Sequence, residues 1–280
     1  MNAPGHREID LLFQSTGHAI CAHVIDGWIV DPGPTSSLPV LLDALAGERP
    51  RGVLLTHIHL DHAGSTGSLL EALGPLPVYV HERGARHLMD PSRLLASATR
   101  LYGDQMDTLW GTIVPVPAEH VRVLGDAPDP DGFRWASTPG HAVHHAAFLH
   151  EATGIAFCGD VAGVRVGDGP IQPPTPPPDI DVEAWHASIA TVRAWRPAAL
   201  ALAHIGHIND VDIHLDRHGE THDRNAQLAR ELDAGAFEQE VRAILGQASD
   251  ANGYLKAMPP ETLYAGLDRY WAQRTVERRS

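Results

Sequence analysis

Six consecutive residues, His57-Ile58-His59-Leu60-Asp61-His62, place four metal-ligand side chains in one short stretch. In extended backbone, residues two apart point the same way, so His57 and His59 can reach one ion. Asp61 and His62, where the chain turns, can reach a neighbouring one. The stretch directly follows Gly52-Val53-Leu54-Leu55-Thr56, an unalternating apolar run of the kind buried on both faces of a sheet. A solvated polar loop is the bland account, and ligand-type residues at this density directly after a buried strand argue against it. Nineteen His in a chain with five Phe and five Tyr fit metal binding, although composition alone describes exposed neutral imidazole equally well.

The elements around this stretch alternate between strands and helices. Residues 18–25 and 28–30 flank Asp26-Gly27, a hairpin signal. Residues 38–46 carry Leu38, Leu41, Leu42 and Leu45 on one helical face, residues 68–73 read as a helix and residues 78–81 as a strand. Residues 83–109 are helical with interruptions at Pro91 and Gly103, and residues 113–135 break into short β-like pieces. Residues 146–150 and 154–158 form a second hairpin pattern, and 198–203 a second short buried strand. Six prolines in residues 170–178 forbid helix or central strand there, leaving an extended loop. Asp181 then caps a helix with Val182, Trp185, Ile189, Val192 and Trp195 on one face. After Asp210 the pattern is helical, with breaks at Gly235, residues 246–253 and Pro259-Pro260.

The segment His-x-His-x-Asp-His resembles the signature of the metallo-β-lactamase superfamily, and the resemblance continues in order along the chain. Thr138-Pro139-Gly140-His141, Phe157-Cys158-Gly159-Asp160 and Leu202-Ala203-His204-Ile205-Gly206 match its later motifs, and Val30-Asp31-Pro32-Gly33 is similar to its early strand and turn. Each later motif alone is weak, because Gly-His and Gly-Asp are common turn pairs; their order and their placement at strand ends make the set specific. The resemblance implies an α/β (α+β) fold, a four-layer αββα sandwich over residues 1–210 with a helical C-terminal extension over 211–280. It implies that His57, His59 and His141 hold one metal, that Asp61, His62 and His204 hold a second, and that Asp160 bridges both. Asp31 and His145 then support the ligands from behind. His145 keeps the last position of the Thr-x-Gly-His pattern of thioester-hydrolysing, glyoxalase II-like relatives, whereas His144 replaces the Gly. His207 competes with His204, which is preferred because it ends a strand and is followed one residue later by Gly. His214, His218 and His222, spaced by four, read as a solvated helix face.

Imidazoles and carboxylates without thiolate suit two Zn²⁺, with Fe or Mn as alternatives. Such a pair would lower the pKa of a bridging water toward about 7, supplying hydroxide to attack an ester, thioester, lactone or related acyl carbon. Asp61 would orient that hydroxide and shuttle a proton to the leaving group. The expectation is a metal-dependent hydrolase. The alternatives are an oxidoreductase resembling the one-iron persulfide dioxygenases of the same fold, and a metal-binding regulatory protein without turnover. Flavin-linked diiron relatives carry Glu where His59 stands here.

The net charge of −14 repels phosphate backbones and anionic lipid, and no Arg block forms a patch along the sequence; local charge overrides this sum if Arg83, Arg86, Arg93 and Arg100 line the cleft. Nucleic acid and membrane are therefore poor partners, and the expected substrate is a small, neutral or weakly anionic acyl compound. The proline-rich loop is either an inert linker or a wall of its pocket, with Trp110 or Trp185 as apolar contacts. Cys21 and Cys158 are too few for a disulfide framework or a thiolate zinc site. The composition, 43% hydrophobic and 20% charged, is that of a globular domain. The absence of a signal-like start or membrane-length apolar run makes the cytoplasm the expected location. Leu215, Leu228, Leu232, Phe237, Val241 and Ile244 in the tail either cover the sandwich or pair with a second copy in a homo-oligomer.

Overall fold

A computed structural model describes residues 5–277. Among these residues two sheets form. The first has the strand order β1 (His6–Asp10), β2 (Cys21–Ile25), β3 (Trp28–Val30), β4 (Gly52–Leu54), β5 (Val78–Val80), β6 (Val121–Val123). β1 to β3 pair antiparallel and β3 to β6 parallel. The second sheet holds β7 (Phe133–Ser137), β8 (Ala146–His150), β9 (Ile155–Gly159), β10 (Ala199–Leu202) and β11 (Gly206–Ile208), in the order β11-β10-β9-β8-β7. β9 and β10 run parallel; the other pairs are antiparallel.

The period of two along these strands builds the layers. Trp28, Val30 and Leu54 of the first sheet and Phe148, Phe157 and Ala201 of the second share one core between the sheets. The alternate residues Ile29 and Val53 face away from it, into a core with α1 (Leu38–Leu45), α3 (Thr66–Leu73) and α4 (Glu82–Met89). Short α2 (Leu60–Ala63) precedes α3, and α5 (Ser92–Tyr102) and α6 (Met106–Leu109) follow α4. On the far side, Ala156, Cys158, Leu200 and Leu202 pack on α7 (Val182–Ala194) and α8 (Val211–Glu231). That same core takes Phe237, Val241, Tyr254, Leu263 and Leu267 from α9 (Ala234–Leu245), α10 (Ala251–Ala257) and α11 (Pro260–Glu277). The result is the four-layer αββα sandwich, with the C-terminal helices joined to the core of the second sheet.

Asp181 caps α7 as expected, accepting from the Ala184 N–H at 2.9 Å. Two short strands, β1 and β11, lie outside the sequence expectation. The break expected at Gly235 falls instead before Asp233, whose carboxylate caps α9 through the Ala236 N–H and leaves Gly235 inside the helix. The row His214, His218 and His222 is a correction: all three are fully buried, because α8 turns that face inward onto Trp185. No helix among the described residues is long and apolar enough to cross a membrane.

Candidate metal centre

The ligand-type residues gather where strands of both sheets end. Parallel pairing of β9 and β10 sets Leu202 opposite Gly159, so Asp160 and His204 emerge side by side. The Ala146 N–H donates to the Thr56 carbonyl at 2.7 Å, joining the start of β8 to the end of β4 and bringing the 138–145 turn over residues 57–62. Two glycines make this approach possible. A Cβ on Gly140 (φ +132) would lie 2.4 Å from the Trp185 backbone, and one on Gly159 (φ +48) 2.4 Å from Thr56 Oγ1.

Three groupings of ligand atoms result, each with its atoms within 4.8 Å of one another: His57, His59 and His141; His57, His62 and Asp160; Asp61, His62 and His204. His57 Nε2 and His141 Nε2 lie 3.0 and 2.9 Å from His59 Nδ1. His62 Nε2 lies 3.4 Å and His204 Nε2 3.6 Å from Asp61 Oδ2. Asp160 spans both halves. Its Oδ1 is 3.3 Å from His62 Nε2 and 3.2 Å from His204 Nε2, and its Oδ2 is 3.2 Å from His141 Nε2.

The remaining ring nitrogens fix the tautomers. His141 Nδ1–H donates to the Pro174 carbonyl and His204 Nδ1–H to the Ala19 carbonyl, both at 2.8 Å. His62 Nδ1–H donates to Asp31 Oδ2 at 3.0 Å. The Thr56 hydroxyl donates to the same Asp31 oxygen at 2.6 Å, which leaves it to accept from His57 Nδ1–H at 3.1 Å. Four Nε2 lone pairs therefore point at the cluster centre. His62 Nε2 and Asp160 Oδ1, buried there, make no well-formed hydrogen bond. Converging lone pairs and orphaned buried acceptors are what a cation site leaves when only protein atoms are considered, so the donor set fits one or two metal ions.

The electrostatics divide the cluster in the same way. Burial holds His57, His59 and His141 below the usual imidazole range, His141 at about 4. Burial opposes charge on His62 and His204 too, but there the Asp61 and Asp160 carboxylates outweigh it and raise both. The same pairing overcomes burial on Asp61, bringing it to about 2, and holds Asp160 well below the carboxylate range. The carboxylates thus favour positive charge on that side of the cluster.

The structure brings together all seven ligand positions read from the sequence, and it sets Asp31 and His145 directly behind them. His145 accepts from the Asp160 N–H at 3.2 Å and pairs with Thr138 Oγ1 at 2.7 Å. His144 is buried with its ring 5.6 Å from that of His59. His207 lies away from the cluster, against His6 at 5.8 Å between ring centroids. The orienting carbonyls of Ala19 and Pro174 carry no sequence signature, because any residue supplies a backbone oxygen.

A cleft of about 1400 Å³ opens onto Asp61, Asp160 and His204. Pro174 and Pro176 to Pro178 line it, as does Trp110, in agreement with the sequence reading. Trp185 does not; it is fully buried behind His141, edge-on at 5.5 Å. Arg83, Arg86, Arg93 and Arg100 also line the cleft, so the local arrangement that would override the net charge is present, although no run of arginines forms a patch in the sequence. A separate group, Glu8, Cys21 and His23, also brings ligand atoms within 4.8 Å. There Cys21 Sγ and His23 Nε2 both donate to the Leu202 carbonyl, at 3.2 and 2.9 Å, which satisfies them without an ion.

The chain belongs to the metallo-beta-lactamase superfamily, whose sequence profile matches residues 26–207. It is 32% identical over 139 residues to a hydroxyacylglutathione hydrolase of Hahella chejuensis, a match covering 48% of this chain and 42% of that protein. The chain thus spans less than half the length of that relative. Among solved structures, an archaeal superfamily protein from Sulfolobus tokodaii superposes with a TM-score of 0.71 at 23% identity, covering 95% of this chain and 99% of that one. A family protein from Thermus thermophilus gives 0.62 at 21% identity, covering 99% and 95%. At these identities the structural matches carry the fold.

Proposed function

We propose that the chain is a hydrolase that holds two metal ions, zinc in the first instance, and cleaves an ester, thioester, lactone or related acyl bond. The observation that carries this is Asp160, whose two oxygens face separate histidine groups. A carboxylate placed so suits a bridge between two ions. When bound, such ions supply a water acidified toward neutral pH and a Lewis acid for the acyl oxygen. His57, His59 and His141 would hold one ion and Asp61, His62 and His204 the other. Pro174, Ala19, Asp31 and Thr56 keep the ring nitrogens deprotonated toward the centre. Asp61 keeps 19% of its side chain exposed and sits at the cleft, where it can take a proton to the leaving group. The hydroxyacylglutathione hydrolase relatives support the acyl class.

The test is a panel of lactone, thioester, β-lactam and phosphodiester substrates with zinc-loaded protein. Turnover of a lactone or thioester, lost on chelation, is expected; turnover of the phosphodiester alone would defeat the acyl assignment.

A further inference from the structure

The cleft has the opposite charge from the protein that contains it. The chain carries 21 Lys and Arg against 35 Asp and Glu. In the cleft lining, seven Lys and Arg stand against three carboxylates other than Asp61 and Asp160. Helical geometry concentrates part of this. Arg93 and Arg100 lie seven residues, or about two turns, apart on α5 and so share a face. Arg86, seven residues before Arg93, ends α4 beside them. α5 buries none of its residues fully; Leu94, Ala98 and Tyr102 rest half-buried against the first-sheet core, and Arg93 and Arg100 stay exposed and line the cleft. Arg83, Arg93 and Arg100 make no ion pair among the described residues, and Arg86 reaches only His87, at 3.1 Å. His87 feels the crowding: burial, then Arg86 and Arg93, push its pKa down. Asp90 is the acidic group beside Arg93 and His87, and the excess of like charge in a concave wall favours an arriving anion. α10 and α11 add Lys256 and Arg269 to the lining.

Size and polarity narrow the ligand. A volume of about 1400 Å³ exceeds the roughly 300–1,000 Å³ of ordinary ligand pockets, more than a short acyl group fills. Leu94, Ala98, Leu101 and Met258 give the cleft apolar surface between its cations. The concave lining suits a compact ligand better than a continuous polymer. The global charge of −14 repels a long polyanion, while a short anionic tail senses the local arginines within a Debye length of about 8 Å.

We propose that the substrate is an acyl thioester or ester joined to a phosphate-bearing tail, with Arg93 and Arg100 binding the tail while the acyl carbon reaches the metal-ligand cluster. The chemistry rests on the acyl-hydrolase reading above; the tail site does not. Hydrolysis is balanced by water alone: a C–O bond forms, the C–S or C–O bond breaks, and the leaving thiol or alcohol takes the proton. Arginine suits the tail because its planar fork donates two parallel hydrogen bonds to phosphate.

Two thioesters with the same acyl chain, one on coenzyme A and one on N-acetylcysteamine, differ only in the tail. With about tenfold expected per charge-assisted contact, kcat/KM favours the coenzyme A thioester by about 100-fold. The preference shrinks at about 1 M salt, where the Debye length is about 3 Å. In the Arg93→Gln/Arg100→Gln variant the ratio falls by most of that factor, and because both residues are exposed the thermal midpoint stays in place. Calorimetry with the unreactive S-hexyl thioether of coenzyme A reads the tail site without turnover, and the double variant weakens this binding by a similar factor. Equal kcat/KM for the two thioesters, or thioether binding indifferent to the double variant, overturns the tail site while leaving acyl hydrolysis standing. Arginine-dependent thioether binding with neither thioester cleaved keeps the site and removes the acyl reading. Single-stranded RNA cleaved faster than either thioester overturns both.

Discussion

Replacing Asp31 with Asn changes one buried atom group and puts the support of the metal centre at risk. Asp31 is 2% exposed. Its Oδ1 accepts from the Thr56 N–H at 2.8 Å, and its Oδ2 accepts from the Thr56 hydroxyl at 2.6 Å and from His62 Nδ1–H at 3.0 Å. The residue sits at φ +50, which Asn tolerates, so the backbone does not confound the change. The amide keeps one oxygen for the Thr56 N–H but sets an NH₂ group against two donors. The lost charge-assisted bond costs about 1.5–3 kcal/mol and the unsatisfied donor about 1–3 more, so the metal-free protein loses about 2.5–6 kcal/mol. His62 is also freed to rotate, and affinity for the ion it helps hold falls about 10–100-fold. Urea unfolding of metal-free protein reads the first quantity and competition with a chromophoric chelator the second. A variant within about 1 kcal/mol of the parent that also retains both metals equally well would refute the reasoning.

Two further predictions follow from histidines. His218 and His222 are fully buried with neither ring nitrogen of either residue hydrogen-bonded, and burial, with neighbouring histidines, depresses both pKa values, His222 to about 3. A depressed imidazole contributes stability that is intact above the unfolded value of about 6.5 and is lost as pH falls below it. At about pH 5.5 each such group costs about 1.4 kcal/mol. The His218→Leu/His222→Leu variant should therefore lose about 2.8 kcal/mol less than the parent between about pH 7.5 and 5.5 in urea melts, and equal losses would show that the rings are hydrated. His204→Ala should empty or weaken one metal position while His207→Ala leaves both filled, as elemental analysis can read; the reverse would move the last ligand into β11.

The residues that carry chemistry were legible because their signal is local. His57 to His62 follow a buried strand, and the resemblance supplied His141, Asp160 and His204 in order; the fold then places all of them together. What escaped depends on contacts distant in sequence. β1 reads His-Arg-Glu-Ile-Asp, without the apolar alternation that announces a strand, yet it pairs with β2 along its whole length. The α8 histidines repeat every fourth residue, which marks one face of a helix but not whether that face meets water or Trp185. Trp185 has the spacing of an apolar contact, and only the packing of α7 behind His141 shows that substrate does not meet it. The cationic cleft is assembled from α4, α5 and the C-terminal helices, so the sequence offers Arg83, Arg86, Arg93 and Arg100 only as candidates, and the fold is needed to bring them to one wall.

Metal content tests a two-ion centre built on Asp160 most directly. Protein made without added metal, then loaded with zinc and desalted, should carry close to two ions per chain by elemental analysis, and Asp160→Asn should lower that number. A single iron per chain, with oxygen consumed on turnover, would contradict it.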